Sequence, residues 1–273
     1  MRSPFFAEPP TPTMPDVAVY APAGMPGVAA YALRLGDDAL VLSHRLAEWV
    51  AHAPELEEDV ALANISLDLL GQARALLAYA GELEGVGRDE DALAYLRDDR
   101  AFTNVQLVEL PRGDFGLTIA RQLLFSTYQR LLYPRLAASS DETLAGVAAK
   151  AEKEVVYHAD HATQWTLRLG DGTDESHARM QAGLVAVWPY VDELFAPDPL
   201  TDRLAAAGVA VDPAGLREQW DAAVDAVLRE ATLDRPAVPS APGGGRRGLH
   251  TEHLGHMLAQ MQSLHRAYPG VTW

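Results

Sequence analysis

The chain contains no cysteine. Disulfides, thiolate nucleophiles and cysteine-ligated zinc or iron–sulfur centres are therefore excluded. Lysine is almost absent, with only Lys150 and Lys153. Basic charge is scarce overall: 22 Lys and Arg stand against 38 Asp and Glu, for a net charge of −16. That balance argues against a nucleic-acid binder, which needs a basic surface to displace counterions from phosphate. It suits a soluble protein or one that docks on a basic partner. No apolar run approaches the roughly 20 residues that span a bilayer, so no membrane association is expected. The opening "MRSPFFAEPPTPTMP" is broken by prolines where a signal peptide would carry its apolar stretch, so a cytoplasmic location is the expectation. Runs of β-branched residues, strand patterns and fixed-period repeats are missing too.

What the chain does contain is helix-forming sequence. Residues 1–27, with seven prolines and no helical period, read as a disordered extension. From Val28 onward a single helical domain is expected. A first helix is predicted from Asp37 to Pro54, with Leu42, Leu46, Trp49, Val50 and Ala53 on one face. A second runs from Glu57 to Glu84, is apolar nearly all round and should be central. The stretch "GRDEDALAYLRDDRAFTNVQLVELPRGD" reads as a long connection with short helical pieces. A third helix covers Phe115 to Ala138. A fourth begins at the cap Ser140-Asp141-Glu142 and ends at Leu169. Further helices are predicted at Asp174–Phe195, bent at Pro189, then at Pro213–Leu233 and Thr251–Ala267. Two helices, a long crossover and two more helices make the ferritin-like order of the four-helix bundle. The predicted fold class is all-α, a ferritin-like four-helix bundle with additional C-terminal helices.

Such bundles hold paired iron ions with a glutamate from each of two helices and a Glu-x-x-His from each of the other two. Four carboxylates offset the charge of two cations, and residues at i and i+3 share a face. The sequence departs from this pattern in the second, third and fourth helices. In the second helix Asp68 stands where a carboxylate belongs, but three residues on is Gly71, which has no side chain. In the fourth, "AEKEVVYHADH" offers Glu154, yet Tyr157 occupies the histidine's place and His158 comes one residue late. Nowhere in the chain is a Glu followed by His at i+3. The third helix contains no acidic residue at all; its polar stripe is Gln122, Ser126, Gln129 and Tyr133. Uncompensated buried charge is expensive, so a working di-metal centre is not expected. Asn64, Asp68 and Gln72 share one face of the second helix, and Glu154, His158, His161 and Trp165 one face of the fourth. These stripes are expected to meet and satisfy each other as a metal-free polar network. Lys150 lies one turn before Glu154 and is read as an ordinary surface lysine.

Two C-terminal features carry further chemistry. "LHTEHLGH" places His250, Glu252, His253 and His256 together, but it lacks the His-Glu-x-x-His order of a zinc enzyme and reads better as a capped helix start. "GGGRRG" sets Arg246 and Arg247 on a glycine-rich loop without the Lys-Ser/Thr of a phosphate-binding loop. An arginine pair there is a candidate contact for an anionic group or a partner's acidic patch. Arg246, Arg247, His250, Glu252 and His253 are the candidate partner or CoA contacts.

Four blocks are also familiar as sequence: "YALRLGDDALVLSHRLAEWVAHAPELEEDVALANISLDLLGQARALLAYAGELEG", "LRDDRAFTNVQLVELPRGDFGLTIARQLL", "KEVVYHADHATQWTLRLGDGTDES" and "GRRGLHTEHLGHMLAQMQ". Together they resemble the structural, non-catalytic subunit (PaaC-type) of the bacterial phenylacetyl-CoA ring epoxygenase, over residues 31–273. The resemblance implies a ferritin-like bundle without a cofactor of its own. It implies a paralogous catalytic subunit that holds the di-iron pair, binds phenylacetyl-CoA and epoxidises its ring with O₂, together with small accessory subunits. It also implies that electrons come from a separate flavin and iron–sulfur reductase. The alternatives left open by the residues are a metalloprotein with a rearranged site at Asp68, Glu154, His158 and His161, and a homodimeric module binding a CoA thioester through Arg246 and Arg247.

Overall fold

Eleven α-helices and several single 3₁₀ turns follow one another without a strand among the described residues, which in the computed structural model are 25–269 and 271. The helices are α1 (Gly27–Ala47), α2 (Leu56–Glu84), α3 (Glu90–Tyr95), α4 (Gln106–Glu109), α5 (Phe115–Leu136), α6 (Glu142–Gly170), α7 (Asp174–Val187), α8 (Pro199–Ala206), α9 (Arg217–Glu230), α10 (Glu252–Met261) and α11 (Ser263–Ala267). α1 packs along α2 and α5 along α6, and α2 meets α6 across the seam between the pairs. The connection from α2 to α5, with α3 and α4 on it, supplies the crossover of the expected ferritin-like order. α7 and α9 pack on α5 and α6, and α8 on α1.

The first helix starts ten residues before its expected beginning. Most of the expected Pro-rich extension lies outside the described residues, but Met25 is buried and α1 opens at Gly27, with the Ala30 N–H on the Pro26 carbonyl at 3.0 Å. Gly36-Asp37-Asp38 imitates a helix boundary. Here it lies mid-helix for two reasons. A Cβ on Gly36 would come within 2.9 Å of a Leu77 methyl, so glycine permits the close approach of α1 and α2. Both aspartates are buried and bound from other segments.

Burial also reverses the expected order of the layers. α1 is buried on nearly every side, Arg34, Asp37 and Asp38 included, as is α5 from Thr118 to Gln129. α2 lies further out. It buries Leu62, Ile65, Leu69 and Leu76 but exposes Leu56, Val60 and Leu67. By length and composition α2 does meet the requirement for crossing a bilayer, contrary to the reading of the bare sequence; in the fold it is one wall of the bundle.

Smaller differences have local causes. The predicted Asp174–Phe195 helix stops at Val187 and tightens into a 3₁₀ turn at Trp188–Tyr190, where Pro189 has no N–H to donate. α8 was not anticipated, although Asp198-Pro199 is a start signal. The Asp198 carboxylate accepts the N–H groups of Leu200 and Thr201 at 2.9 and 3.3 Å.

Candidate functional site

The polar stripes expected on the second and fourth helices meet at the α2–α6 seam, Asn64 and Trp165 excepted. The Tyr133 hydroxyl of α5 donates to Gln72 Oε1 at 3.0 Å, and Gln72 Nε2 donates to Glu154 at 2.9 Å. His158 Nε2 lies 3.1 Å from Asp68, and His161 Nε2 lies 2.8 Å from Glu58. Glu58 escaped the sequence reading because it sits ten residues before Asp68. Asn64 is exposed, and Trp165 turns away to pack edge-on against Phe115. His158 is buried, and burial outweighs the pull of Asp68 to hold its pKa below the ordinary histidine value. At neutral pH it is therefore a neutral imidazole donating to Asp68, not half of an ion pair.

This arrangement does not fit a pair of metal ions. Each carboxylate of the seam has its own partner within the chain. Gly71 faces open space. Tyr157, in the histidine's place, is 48% exposed and not enclosed in the seam. A cavity of about 40 Å³ lies between Gly71, Gln72, Glu154 and Lys150, and Lys150 makes no ion pair among the described residues. Among the described residues no three His, Cys, Asp or Glu side chains come together as a metal-holding group.

The strongest electrostatics lie elsewhere, in a network absent from the sequence reading. Asp37 accepts from the Thr103 N–H and hydroxyl at 2.8 and 2.9 Å and is clamped by Arg97. Asp38 accepts the Val105 N–H at 2.8 Å and a two-pronged contact from Arg246 at 2.7 and 3.1 Å. Arg246 also donates to the carbonyls of Thr103 and Arg34. Burial pushes Asp38 up to about 6 despite Arg246. Burial works against the Arg246 charge too, but Asp38 outweighs it and the guanidinium stays firmly protonated.

The neighbouring glycines hold a second carboxylate. The N–H groups of Gly244 and Gly245 donate to Glu193 Oε1 at 2.8 and 2.6 Å, and the Gln106 N–H donates to Oε2 at 2.7 Å. Gly244 has φ 121°, and a Cβ on Gly245 would meet the Asn104 carbonyl at 2.1 Å. Only glycine builds this nest. "GGGRRG" is thus an anion-binding loop whose anions, Glu193 and Asp38, belong to the chain itself.

The remaining C-terminal candidates separate. His250 is inside: Nδ1 lies 2.7 Å from Glu109 and Nε2 lies 2.9 Å from the Phe102 carbonyl. Burial disfavours its charge, but the Glu109 carboxylate prevails and raises the pKa above the ordinary value. The Thr251 N–H caps the same carboxylate at 2.5 Å. The His253 carbonyl accepts from Arg45 at 2.8 Å. Arg247, Glu252 and His256 are not drawn into this network, and Glu252 and His256 are exposed. The histidines do not converge. The one signal for the network was an Asp-Asp pair inside a leucine-rich helix.

The model of a family described as "Phenylacetic acid catabolic protein" matches residues 16–273. The chain is 52% identical over 246 residues to the C component of the 1,2-phenylacetyl-CoA epoxidase of Escherichia coli (strain K12), covering 90% of this chain and 99% of that relative.

Proposed function

The chain belongs to the family of phenylacetic acid catabolic proteins, and from that premise we propose that it is the structural, non-catalytic subunit of a multicomponent oxygenase that epoxidises the aromatic ring of phenylacetyl-CoA. In this reading the di-iron pair sits in a paralogous catalytic subunit, and this chain holds that partner and its small accessory subunits in their active arrangement. It performs no chemistry of its own and carries no cofactor. The setting is the cytoplasm, with α2 engaged as a bundle wall and not available to a bilayer. The observation that carries the reading is the α2–α6 seam, where Glu58, Asp68 and Glu154 are each taken up by a partner from this chain in a bundle of the right helix order.

The test is functional. Catalytic subunit purified alone should be unstable or poorly active and regain activity when this chain is added; full activity and stability without it would end the proposal. Two other readings give distinct outcomes. A rearranged metal site at Asp68, Glu154, His158 and His161 requires near-stoichiometric iron in the isolated chain, lost on Glu154→Ala. A CoA-thioester module has only Arg247 left for the task, since Arg246 is committed to Asp38; heat on titrating a CoA thioester into the isolated chain would support it.

A further inference from the structure

A cavity of about 30 Å³ lies between α1, α5 and the turns that join α7 to α8 and α8 to α9. Its walls include Tyr31, Arg34, Tyr128, Glu193, Asp198 and Arg246. So many polar side chains around so small a space need an account of their hydrogens and lone pairs.

The carboxylates are occupied. Asp198 Oδ1 accepts the N–H groups that open α8, and Oδ2 accepts from Arg34 Nη1 and the Thr201 hydroxyl at 2.7 and 2.9 Å. Glu193 is held in the glycine nest. The donors are not occupied. Arg34 donates only through Nη1, and its Nε is buried without a partner. The Tyr31 hydroxyl accepts weakly from the Val211 N–H at 3.5 Å and gives its own hydrogen to nothing among the described residues. The Tyr128 hydroxyl has no hydrogen bond among the described residues. All three side chains are only 5% exposed, so bulk water does not satisfy them. Burial pushes Tyr31 up to about 12 and raises Tyr128 as well, so both keep their hydrogens at neutral pH. Burial, and after it the Arg246 charge, pulls Arg34 below its ordinary value. The two guanidiniums that line the cavity thus repel each other.

Asp38, Glu193 and Asp198 already offset these two charges. What the cavity lacks is a free acceptor, and that decides its ligand. A water would bring two hydrogens of its own into a wall of donors. A halide accepts every hydrogen offered and brings none. The volume admits one monatomic ion or about two waters, and no nucleotide or acyl chain. We propose that this cavity is a binding site for a small monatomic anion, chloride in solution, held by Arg34 Nε and the hydroxyls of Tyr31 and Tyr128. The ion ties α1 to α5 beside the start of α8. The inference stands apart from the scaffold reading, since it concerns this chain alone.

The experiment has two arms on the purified full-length chain. Thermal unfolding is followed in sodium chloride and in sodium gluconate at equal ionic strength, and a crystal grown in sodium bromide is measured at the bromine absorption edge. The midpoint should be about 2–4 °C higher in chloride once chloride is at about ten times its dissociation constant, and the increment should saturate. Bromide should give an anomalous peak between Arg34, Tyr31 and Tyr128. Tyr128→Phe keeps the ring, removes one donor and should halve the chloride increment or more. Equal midpoints in the two salts would overturn the proposal, as would a cavity without anomalous signal. A bromide peak with no chloride dependence of melting would mean an adventitious ion only and would overturn it too. A Tyr128→Phe variant with the full increment would place the chloride effect elsewhere and refute the site.

Discussion

The Asp38–Arg246 contact allows a quantitative prediction, because its two ends lie 208 residues apart and burial holds its carboxylate well above the ordinary aspartate range. Consider Arg246→Leu. The variant keeps an apolar stem but leaves Asp38 buried with no cation bonded to it, and a buried carboxylate that loses its ion-pair partner escapes its charge by taking a proton. Measured from its ordinary value of 3.8, holding that proton at pH 7 spans about 3 pH units, or about 4 kcal/mol. The wild type already bears part of this. With Asp38 at about 6, keeping it ionised in the fold costs about 3 kcal/mol. The ionisation share of the penalty at pH 7 is therefore about 1 kcal/mol. The carbonyls of Thr103 and Arg34 lose their donor as well, at about 1 kcal/mol each. The total is about 3 kcal/mol, at the lower edge of what breaking a buried ion pair costs. At pH 5 Asp38 is protonated in both proteins, so the ionisation share vanishes and the penalty falls to about 2 kcal/mol. Urea unfolding at pH 7 and pH 5 measures both values. Adding Asp38→Asn to Arg246→Leu should abolish the pH dependence while leaving the carbonyl share, as a double-mutant cycle reads directly. A penalty under about 1 kcal/mol at pH 7, or one that is flat between the two pH values, would refute this account of the contact.

Other outcomes follow from the same geometry. His250 has a raised pKa, so its contribution is complete below the ordinary value of 6.5 and is lost as pH climbs through the raised one; the stability gap between wild type and His250→Gln should be wider at pH 6 than at pH 8.5, and a gap that grows with pH would contradict the Glu109 pairing. Gly245→Ala drives a Cβ to 2.1 Å from the Asn104 carbonyl and should cost about 2–3 kcal/mol in chemical denaturation. Gly71→Ala meets nothing within 4 Å on an exposed helix face and should raise stability by about 0.5–1 kcal/mol; a loss there would mean that the seam is tighter than it is drawn. Arg121 is fully buried, donates to the Leu110 carbonyl at 2.5 Å and has no carboxylate partner among the described residues, and burial pulls its pKa down to about 9. Arg121→Met should therefore be neutral or stabilising by about 1 kcal/mol, and a melting midpoint lowered by more than about 5 °C would count against that.

The seam was legible before the structure because its evidence is local. Asp68 with Gln72, and Glu154 with His158, lie one helical turn apart, and side chains four residues apart share a face whatever the rest of the chain does. Their mutual bonds followed once the helices were adjacent. Glu58 was overlooked because it lies ten residues before Asp68, outside the four-residue spacing that groups Asn64, Asp68 and Gln72. Arg246 and His250 were visible as charged residues on a glycine-rich segment, yet their use inside the chain was not, since nothing local to residues 244–251 reveals that Glu193, Asp38 and Glu109 surround them. The placement of α1 at the centre was likewise hidden. A helix containing Arg34, Asp37, Asp38 and Arg45 looks solvated by composition, and it becomes core only because each charge meets a partner from another segment.

The sequence by itself determined the helical class and the two-plus-two order around a long crossover, and it put Gly71 and Tyr157 three residues after Asp68 and Glu154, where a Glu-x-x-His pair needs histidine. The tertiary structure alone decided which charges neutralise each other, which helix is innermost and which apolar residues are left outside. Those outcomes depend on contacts between residues up to 208 positions apart, and burial and ion pairing are properties of spatial neighbours that helical periodicity does not encode.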